Sequence, residues 1–463
     1  MHRYTSFHLL CKGCILSVLL LYACKKQESS PSTPPKLMYT PDTAIVLKGA
    51  ADTSVTPATT WNGSKGSFAF AVPPVPGISI DNSTGKIFWT ATVPIGTYLL
   101  PVIARNAAPT ADTVIYTLIV SGPISTIAGN IRGFSGDGGP AVNASLDNPS
   151  DVTIDGQGNI YIADTYNNRI RVIHPDGTIH PFAGDGNSAF AGDGGPAALA
   201  EFESPYAISS DKLGNLYITD YGNSRIRKIN ANGIISTIAG TTYTTAGYLG
   251  DGGPATQAQL YLIGGKVALD TSGNLYIGDY GDQRVREVTP DGIIHTIAGT
   301  GSTGSFIPDG TAALNAGIAN PNGIYTGADG NIYIVSELGS AVYRLNTGDI
   351  YNVAGSPNGW AGFGQSGDGG PALKALLNRP TNIVADRQGN LFIADFANNK
   401  IREIDTKGII TTVAGNGQSG FSGDGGPAAA AELEGPYGLA LDANGNLYIA
   451  DTFNHRIREV ILH

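Results

Sequence analysis

Cysteine, histidine and charged residues are all scarce in this chain of 463 residues. The three cysteines, Cys11, Cys14 and Cys24, precede residue 25, so the rest of the chain has no disulfide and must be held together by packing. Only 14% of the residues are charged, and 28 basic against 38 acidic residues give a formal net charge of −10. This balance argues against a nucleic-acid-binding protein, which needs a basic face. Glycine, in contrast, occurs 63 times, which is typical of short strands joined by many turns.

The first residues have the features of an export signal. Arg3 and Lys12 accompany an apolar run at 15–21 that is too short to span a bilayer. The stretch Leu21-Tyr22-Ala23-Cys24 resembles a bacterial lipobox, which implies cleavage after residue 23 and lipidation of Cys24. We therefore expect a signal peptide at 1–23, a lipidated and disordered tether at 24–35, and an outer-membrane lipoprotein at the cell surface or facing the periplasm. A secretory leader that is cleaved without lipidation is the alternative.

Residues 36–122 form a separate unit of alternating apolar runs divided by turn clusters such as Asp81–Gly85. About seven such runs predict a small β-sandwich. The stretches 76–87 and 96–106 resemble the immunoglobulin-like modules of bacterial surface proteins, which implies a spacer. Trp61 and Trp89 are expected in strands or in the core.

A seven-residue stretch beginning with Gly-Asn occurs six times in the remaining chain, with its asparagine at spacings of 56, 59, 57, 59 and 56 residues. Each repeat contains four short apolar runs separated by turns, as in 152–155, 160–163, 169–173 and 234–239. Repeated four-stranded units of this length predict the blades of a β-propeller.

The two ends of the repeat region complement each other. The last repeat stops after its third strand, 456–462, and a lone fourth-strand sequence, 124–129, precedes the first repeat. Pairing these two strands closes the ring without a free edge. The sequence thus predicts an all-β protein, with a six-bladed β-propeller at 123–463 preceded by a small immunoglobulin-like β-sandwich.

The run Asn-Ile-Tyr-Ile-Ala-Asp-Thr-x-Asn-x-Arg-Ile-Arg, best preserved at 159–171 and 446–458, resembles the NHL repeat. The following Ile-Ser-Thr-Ile-Ala-Gly and Ser-Gly-Asp-Gly-Gly-Pro-Ala segments resemble the long-loop NHL propellers of bacterial surface proteins and teneurins. The resemblance covers about 340 residues. It implies binding of a partner or ligand rather than one particular chemistry.

An acidic residue at the end of the second strand is followed five positions later by a basic residue in five of the six repeats. The fourth repeat has Ser336 and Ala341 instead, and this joint loss predicts an ion pair within each repeat. The predicted structural pairs are Asp164 with Arg169, Asp220 with Arg225, Asp279 with Arg284, Asp395 with Lys400, and Asp451 with Arg456. A ring of ligand-binding carboxylates is the alternative role.

The Gly-Asp-Gly-Gly-Pro-Ala loops place one aspartate at equivalent sites, with Asp309 in a degraded copy. These aspartates are Asp137, Asp193, Asp251, Asp368 and Asp424. They are expected to accept backbone N–H groups before a helical turn such as 427–433, and calcium is an alternative occupant. An aromatic residue precedes each loop (Phe134, Phe190, Tyr248, Phe306, Phe363 and Phe421), either for packing or as a ring of sugar-stacking faces.

Function is expected where the repeats differ. The long loops between fourth and first strands share one face of the disc with the loops between second and third strands. We call this the long-loop face. Exposed aromatic and polar residues on that face and in the aberrant fourth repeat are predicted binding residues: Tyr243, Tyr248, Glu337, Tyr343, Trp360 and Phe363. Simple drift of the fourth repeat is the alternative.

These features predict a non-catalytic, envelope-anchored binding or scaffold protein that recognises a protein partner through the long-loop face. Glycan binding by the same aromatic residues is one alternative. A metal-dependent lactonase-like or lyase-like propeller is another, but His174 and His180 flank a peripheral hairpin, far from His295 and His455. No metal or other cofactor is expected, apart from the calcium alternative.

Overall fold

The computed structural model describes residues 34–62, 65–107, 111–241, 248–262, 265–304, 307–355 and 364–462. The predicted signal peptide, Cys24 and most of the tether lie outside these residues. The described part of the chain is built from β-strands and short 3-10 helices, and it contains no helix long and apolar enough to cross a membrane.

Nine strands in the described residues precede the repeats. They are β1 (Lys36–Met38), β2 (Thr43–Leu47), β3 (Asp52–Thr53), β4 (Ala58–Thr60), β5 (Ser67–Phe70), β6 (Ile78–Ile80), β7 (Ile87–Trp89), β8 (Gly96–Arg105) and β9 (Asp112–Ser121). A four-stranded sheet, β2-β9-β8-β5, and a three-stranded sheet, β3-β7-β6, share one core, and β1 pairs with β4. Trp89 is buried in this core and Trp61 packs against Phe68, as the sequence predicts.

The strands of the first three repeats follow β10 (Ile124–Ala128). They are β11 (Pro149–Ile154), β12 (Ile160–Asp164), β13 (Arg169–Ile173), β14 (Ile179–Ala183), β15 (Pro205–Ser210), β16 (Leu216–Asp220), β17 (Arg225–Ile229), β18 (Ile235–Ala239), β19 (Val267–Leu269), β20 (Leu275–Asp279), β21 (Arg284–Val288) and β22 (Ile294–Ala298).

Thirteen strands lie in the part of the last three repeats that the structure describes. They are β23 (Thr311–Ala312), β24 (Pro321–Thr326), β25 (Ile332–Ser336), β26 (Ala341–Asn346), β27 (Asp349–Ala354), β28 (Gly370–Pro371), β29 (Pro380–Ala385), β30 (Leu391–Asp395), β31 (Lys400–Ile404), β32 (Ile409–Ala414), β33 (Pro436–Leu441), β34 (Leu447–Asp451) and β35 (Arg456–Val460).

Each repeat folds into an antiparallel sheet whose strands follow the order of the sequence, and β23 and β28 extend two of these sheets at their outer edges. The first strands of neighbouring sheets contact one another in the order β11, β15, β19, β24, β29 and β33, and β33 contacts β11 again. The described sheets therefore form a propeller-like arrangement around a central axis.

The strand expected to close the ring, β10, pairs antiparallel with β35, so that Ile124 lies opposite Val460. Ile124 is fully buried in a core shared with the two last sheets. Only two residues separate β10 from β9, and the Ser121 hydroxyl accepts the Ala429 N–H at 3.1 Å. The N-terminal unit is thus attached directly to the closing sheet.

The repeated Gly-Asn motif forms the turn between the first and second strands. In the first repeat, Asp155 Oδ1 accepts the N–H groups of Gln157 and Asn159 at 2.9 Å. Gly158 has a φ of +84°, which favours glycine. Short 3-10 helices follow the Gly-Asp-Gly-Gly segments or the second strands; they are Ala141–Asn143, Thr165–Asn167, Ala197–Leu199, Ala255–Gln257, Ala313–Asn315, Ala372–Lys374, Phe396–Asn398, Ala428–Ala430 and Thr452–Asn454.

Candidate functional site

The repeated acidic residue at the end of each second strand pairs with a different cation from the one predicted. Asp164 lies opposite Arg169 in the strand register, yet its Oδ2 contacts Nη1 of Arg171 at 3.3 Å. Arg171 is two residues further along the same face, so its side chain returns diagonally to the carboxylate. The predicted pairing is therefore wrong in every repeat that has it, and the observed pairs are Asp164–Arg171, Asp220–Arg227, Asp279–Arg286, Asp395–Arg402 and Asp451–Arg458.

The cation predicted to make this pair has another role. Arg169 donates from Nη1 to the Gly184 carbonyl at 2.7 Å, and its guanidinium lies 4.6 Å from the ring centroid of Phe134. Arg225 lies over Phe190 in the same way. Phe134 and Phe190 therefore each have one ring face covered by arginine, which favours the packing role, whereas Phe306 and Phe363 lie outside the described residues.

The loop aspartates bind the same buried arginines. Arg227 Nη2 donates to Asp193 Oδ1 at 2.8 Å, while its Nη1 contacts Asp220 at 3.1 Å. The sequence predicted that these carboxylates accept backbone N–H groups, and it did not indicate their contact with an arginine guanidinium. A guanidinium already bound to the carboxylate also opposes a cation there, which disfavours the calcium alternative. The observed loop pairs are Asp137–Arg171, Asp193–Arg227, Asp251–Arg286, Asp368–Arg402 and Asp424–Arg458.

Two predicted binding residues belong to this repeated framework. Tyr343 occupies the position of the buried arginine in the fourth repeat and is itself buried in the core. Tyr248 lies under Arg284, with 3.7 Å between the guanidinium carbon and the ring centroid, and its hydroxyl contacts Asp251 at 3.3 Å. Tyr343 is therefore enclosed, and Tyr248 keeps only part of its surface exposed because Arg284 covers one face of its ring.

The first strands surround a narrow channel that contains a buried ion pair. Lys266, just before β19, places Nζ 3.0 Å from Asp151 Oδ1 on β11. The other carboxylate oxygen accepts the Ile208 N–H at 2.9 Å. Both charged groups are therefore compensated within the protein, and they close the channel to a further charged ligand.

Above this pair, the long-loop face carries the channel mouth, which we define as Tyr206, Tyr280, Asn322, Glu337, Arg379, Phe396 and Tyr437. Glu337, predicted as a binding residue, is only 4% exposed. Its carboxylate accepts Arg379 Nε at 2.8 Å and Asn322 Nδ2 at 2.9 Å. The Asn322 amide also donates to the Tyr437 hydroxyl. Glu337 thus organises the mouth through hydrogen bonds and an ion pair.

Aromatic rings cover the mouth in a continuous edge-to-face series. Tyr206 and Tyr437 come from the two strands that flank β11, and their centroids are 5.0 Å apart at 86°. Phe396 lies 5.8 Å from both Tyr437 and Phe453, and Tyr221 lies 6.1 Å from Tyr206. These rings keep part of their surface exposed, so the series offers apolar contact area at the mouth.

Burial raises the pKa of Tyr206 and Tyr437, and burial together with the Glu337 charge raises the pKa of Tyr280. All three phenols therefore stay protonated at neutral pH. The mouth presents neutral hydroxyl groups beside rings rather than a net charge.

Tyr243, Trp360 and Phe363 lie outside the described residues. Among the described residues of the predicted binding set, Glu337 is the one that lies at the channel mouth. Sequence reasoning missed Tyr206, Asn322 and Tyr437. Each follows the proline that begins a first strand, and the residue at this position differs among the repeats. Alignment of the repeats at that proline would have identified the position.

The described residues contain no group of three or more His, Cys, Asp or Glu side chains arranged to hold a metal ion. His174 and His180 lie with ring centroids 5.2 Å apart on the hairpin between β13 and β14. The His455 Nδ1 atom is 3.1 Å from the Asn148 backbone N, which places that ring in a loop contact.

Family models match parts of the chain. The Teneurin NHL domain model matches residues 185–248 and 361–422, and the NHL repeat model matches residues 146–173 and 433–459. The chain therefore contains NHL repeats.

Similar curated proteins are much longer than the segments that match them. Teneurin-4 of Mus musculus is 28% identical over 344 residues, which cover 67% of this chain and 12% of Teneurin-4. NHL repeat-containing protein 2 of Bos taurus is 27% identical over 339 residues, which cover 67% of this chain and 46% of that protein. The chain thus spans less than half the length of these relatives.

Two solved structures share the fold over nearly the whole chain. An auxiliary nutrient binding protein from Bacteroides ovatus has a TM-score of 0.54 and 15% identity, covering 93% of this chain and 99% of that one. A protein of unknown function from Bacteroides thetaiotaomicron has a TM-score of 0.53 and 17% identity, covering 93% of this chain and 98% of that one. The likeness at these identities is one of fold.

Proposed function

We propose that this protein is a non-catalytic binding protein that captures a ligand at the channel mouth on its long-loop face. The observation that carries this proposal is the series of edge-to-face rings from Tyr221 to Phe453 around the buried Glu337. Partly exposed aromatic residues held rigidly in this way supply contact area at little cost in side-chain entropy. The ligand is a protein partner, as the sequence predicts, or a glycan.

The proposed architecture is a six-bladed NHL propeller on an immunoglobulin-like spacer. The described residues of the repeat region form six sheets of four or five strands, and this number together with the pairing of β10 with β35 supports six blades. The four-stranded and three-stranded sheets around one core support the sandwich. The parallel pairing of β2, near the start of this unit, with β9, its last strand, joins the two ends of the unit in one sheet.

A binding role is favoured over the metal-dependent hydrolase or lyase because the titratable groups in the channel are already engaged. Lys266 pairs with Asp151, and Arg379 pairs with Glu337. A general acid or base needs a free, correctly placed proton donor or acceptor, and these pairs offer none without being broken. Turnover that is lost on chelation would contradict this assignment.

Anchoring in the cell envelope is also part of the proposal and rests on the Leu21–Cys24 pattern. Labelling of the native cell with a fatty-acid analogue is expected to mark the wild-type protein and to leave a Cys24→Ser variant unmarked. Labelling of both proteins would place the lipid elsewhere.

The binding function is tested by retention of envelope components on the full chain. The Phe396→Ala/Tyr437→Ala variant removes two rings of the mouth, whereas Leu213→Ser removes an exposed side chain from the opposite end of β15. We expect one component to be retained by the wild type and by Leu213→Ser and to be lost from the double variant. Equal retention by all three proteins would exclude the channel mouth.

A further inference from the structure

The channel mouth holds one buried polar atom that lacks a partner. Asn322 is fully buried, and both contacts of its amide are made by Nδ2, to Glu337 and to Tyr437. A carboxylate only accepts hydrogen bonds, so the contact with Glu337 fixes which end of the amide is nitrogen. Asn322 Oδ1 is left without a hydrogen bond within the described chain. Buried acceptors of this kind are rare because each costs about 1 to 3 kcal/mol.

The unpaired atom borders a narrow cleft beneath the aromatic rings. The cleft is lined by Asn322 together with Tyr206, Thr381 and Tyr437, and the Asp151–Lys266 pair forms its floor. Tyr206 and Tyr437 meet above it. One of these two rings must swing aside for a ligand group to reach Asn322 Oδ1.

The polar groups that remain available are neutral. Glu337 is neutralised by Arg379, and Lys266 by Asp151 at 3.0 Å. The Tyr437 hydroxyl accepts from Asn322, and the Tyr206 hydroxyl, whose ring contacts Tyr437, has no hydrogen-bond partner within the described residues. A ligand thus meets one free acceptor, Asn322 Oδ1, and one terminal donor. The Arg379 side chain is 48% exposed but is paired with Glu337, so a charged ligand would have to compete with an existing ion pair.

We propose that the channel mouth binds a neutral polyhydroxylated ligand, the end of a glycan chain, with one hydroxyl group between Asn322 Oδ1 and the Tyr206 hydroxyl. A hydroxyl group both donates and accepts, so it satisfies the two free positions at once. The C–H faces of the sugar pack against Phe396, whose ring also contacts Phe453 and keeps that contact when Tyr206 or Tyr437 moves. This inference rests on the proposed binding function and specifies its ligand class.

The test uses the full chain on an array of neutral and acidic oligosaccharides, together with polysaccharide released from the native envelope. Tyr206→Phe removes only the terminal hydroxyl and is expected to weaken binding of a neutral glycan about tenfold, the effect of one hydrogen bond of about 1.4 kcal/mol. Phe396→Ala is expected to weaken it at least as much. Leu213→Ser is expected to bind as the wild type does.

Thermal unfolding of each variant shows whether the fold is retained, and Tyr206→Phe keeps the ring and therefore the packing. Binding of neutral glycans that falls in Tyr206→Phe supports the inference. Retention of acidic glycans only, or equal binding by Tyr206→Phe and the wild type, overturns it.

The two proposals fail in different ways. If no saccharide binds but an envelope protein is retained and lost with Phe396→Ala/Tyr437→Ala, the ligand class is wrong and the binding function stands. If neither a saccharide nor a protein depends on the mouth, both proposals are overturned.

Discussion

Arg171 reaches Asp164 on a diagonal across the hairpin of β12 and β13, with 3.3 Å between Nη1 and Oδ2. Its Nη2 binds Asp137 in the preceding Gly-Asp-Gly-Gly loop. Arg169 lies beside it over Phe134, so that two arginines face two aspartates. Each of these repeats therefore attaches its loop to its sheet through a charge-balanced cluster. The fourth repeat replaces one acid and both bases, with Ser336, Ala341 and Tyr343, and its remaining loop aspartate, Asp309, accepts the Asn352 side chain and backbone N–H instead.

Loss of the fully buried arginine is expected to lower the stability far more than loss of its half-buried neighbour. Arg227→Met leaves the fully buried Asp220 without its cation, which is expected to lower the free energy of unfolding by about 3 to 5 kcal/mol. Arg225→Met removes a half-buried guanidinium above Phe190, with an expected loss of about 1 kcal/mol. Urea unfolding measures both, and equal losses would contradict the diagonal pairing.

The fourth repeat supplies a way to remove the ion pair with less damage. Asp220→Ser/Arg227→Tyr recreates the residues that this repeat has at the equivalent positions, Ser336 and Tyr343. The double variant is expected to be more stable than Arg227→Tyr alone by about 1 kcal/mol or more, because no carboxylate remains buried without a cation. Urea unfolding of both variants checks this, and a double variant no more stable than the single one would exclude the coupling.

Closure of the ring by β10 makes a specific prediction for two adjacent residues. Ile124 is fully buried and Ser125 is exposed on the other face of the strand. Ile124→Asp is expected to lower the thermal unfolding temperature by 10 °C or more, on the order of several kcal/mol, because it places a charge in the core of the last two sheets. Ser125→Asp adds the same charge to the same strand on its exposed side, and it should shift the thermal unfolding temperature by only about 1 °C. Similar shifts would mean that β10 contributes little.

Glu403 predicts a pH dependence of stability. Its cross-strand neighbour is Phe392, whereas the equivalent Glu459 accepts the Tyr448 hydroxyl at 2.8 Å. Burial, and then the charges of Asp386 and Asp405, raise the pKa of Glu403 to about 7. Because the pKa of Glu403 is higher in the folded state, the protonated side chain favours folding. This contribution to stability is complete below about pH 4.5 and is lost as the pH rises through about 7.

The difference in unfolding free energy between wild type and Glu403→Gln is therefore expected to change by on the order of 1 to 3 kcal/mol from pH 5 to pH 8. Phe392→Tyr supplies a hydroxyl donor to the carboxylate and should reduce this dependence. Denaturant titrations at four pH values suffice. A constant difference would show that Glu403 titrates normally.

The repeated residues allowed the strands to be predicted because the same turn chemistry recurs six times. β13 was bounded correctly at Arg169–Ile173, and the Asp155-x-x-Gly158-Asn159 turn accounts for the recurrence. The partner of Asp164 was not predictable from spacing, since Arg169 and Arg171 lie on the same face of one strand and only side-chain paths distinguish them. The channel mouth joins residues from separate repeats, such as Asn322 and Tyr437, and spacing along the chain carries no signal for that proximity.

The pairing of Ile124 with Val460 also fixes when the molecule can be completed during its synthesis. The strand that seals the ring, β10, is synthesised before any repeat, whereas its partner, β35, is synthesised after every other strand of the six sheets. Until then, the inner five sheets can stack while the ends of the array present unpaired strand edges that other chains can join. Closure must therefore wait until β35 has been synthesised, and the interval before closure is the period in which the unpaired edges are most exposed to aggregation.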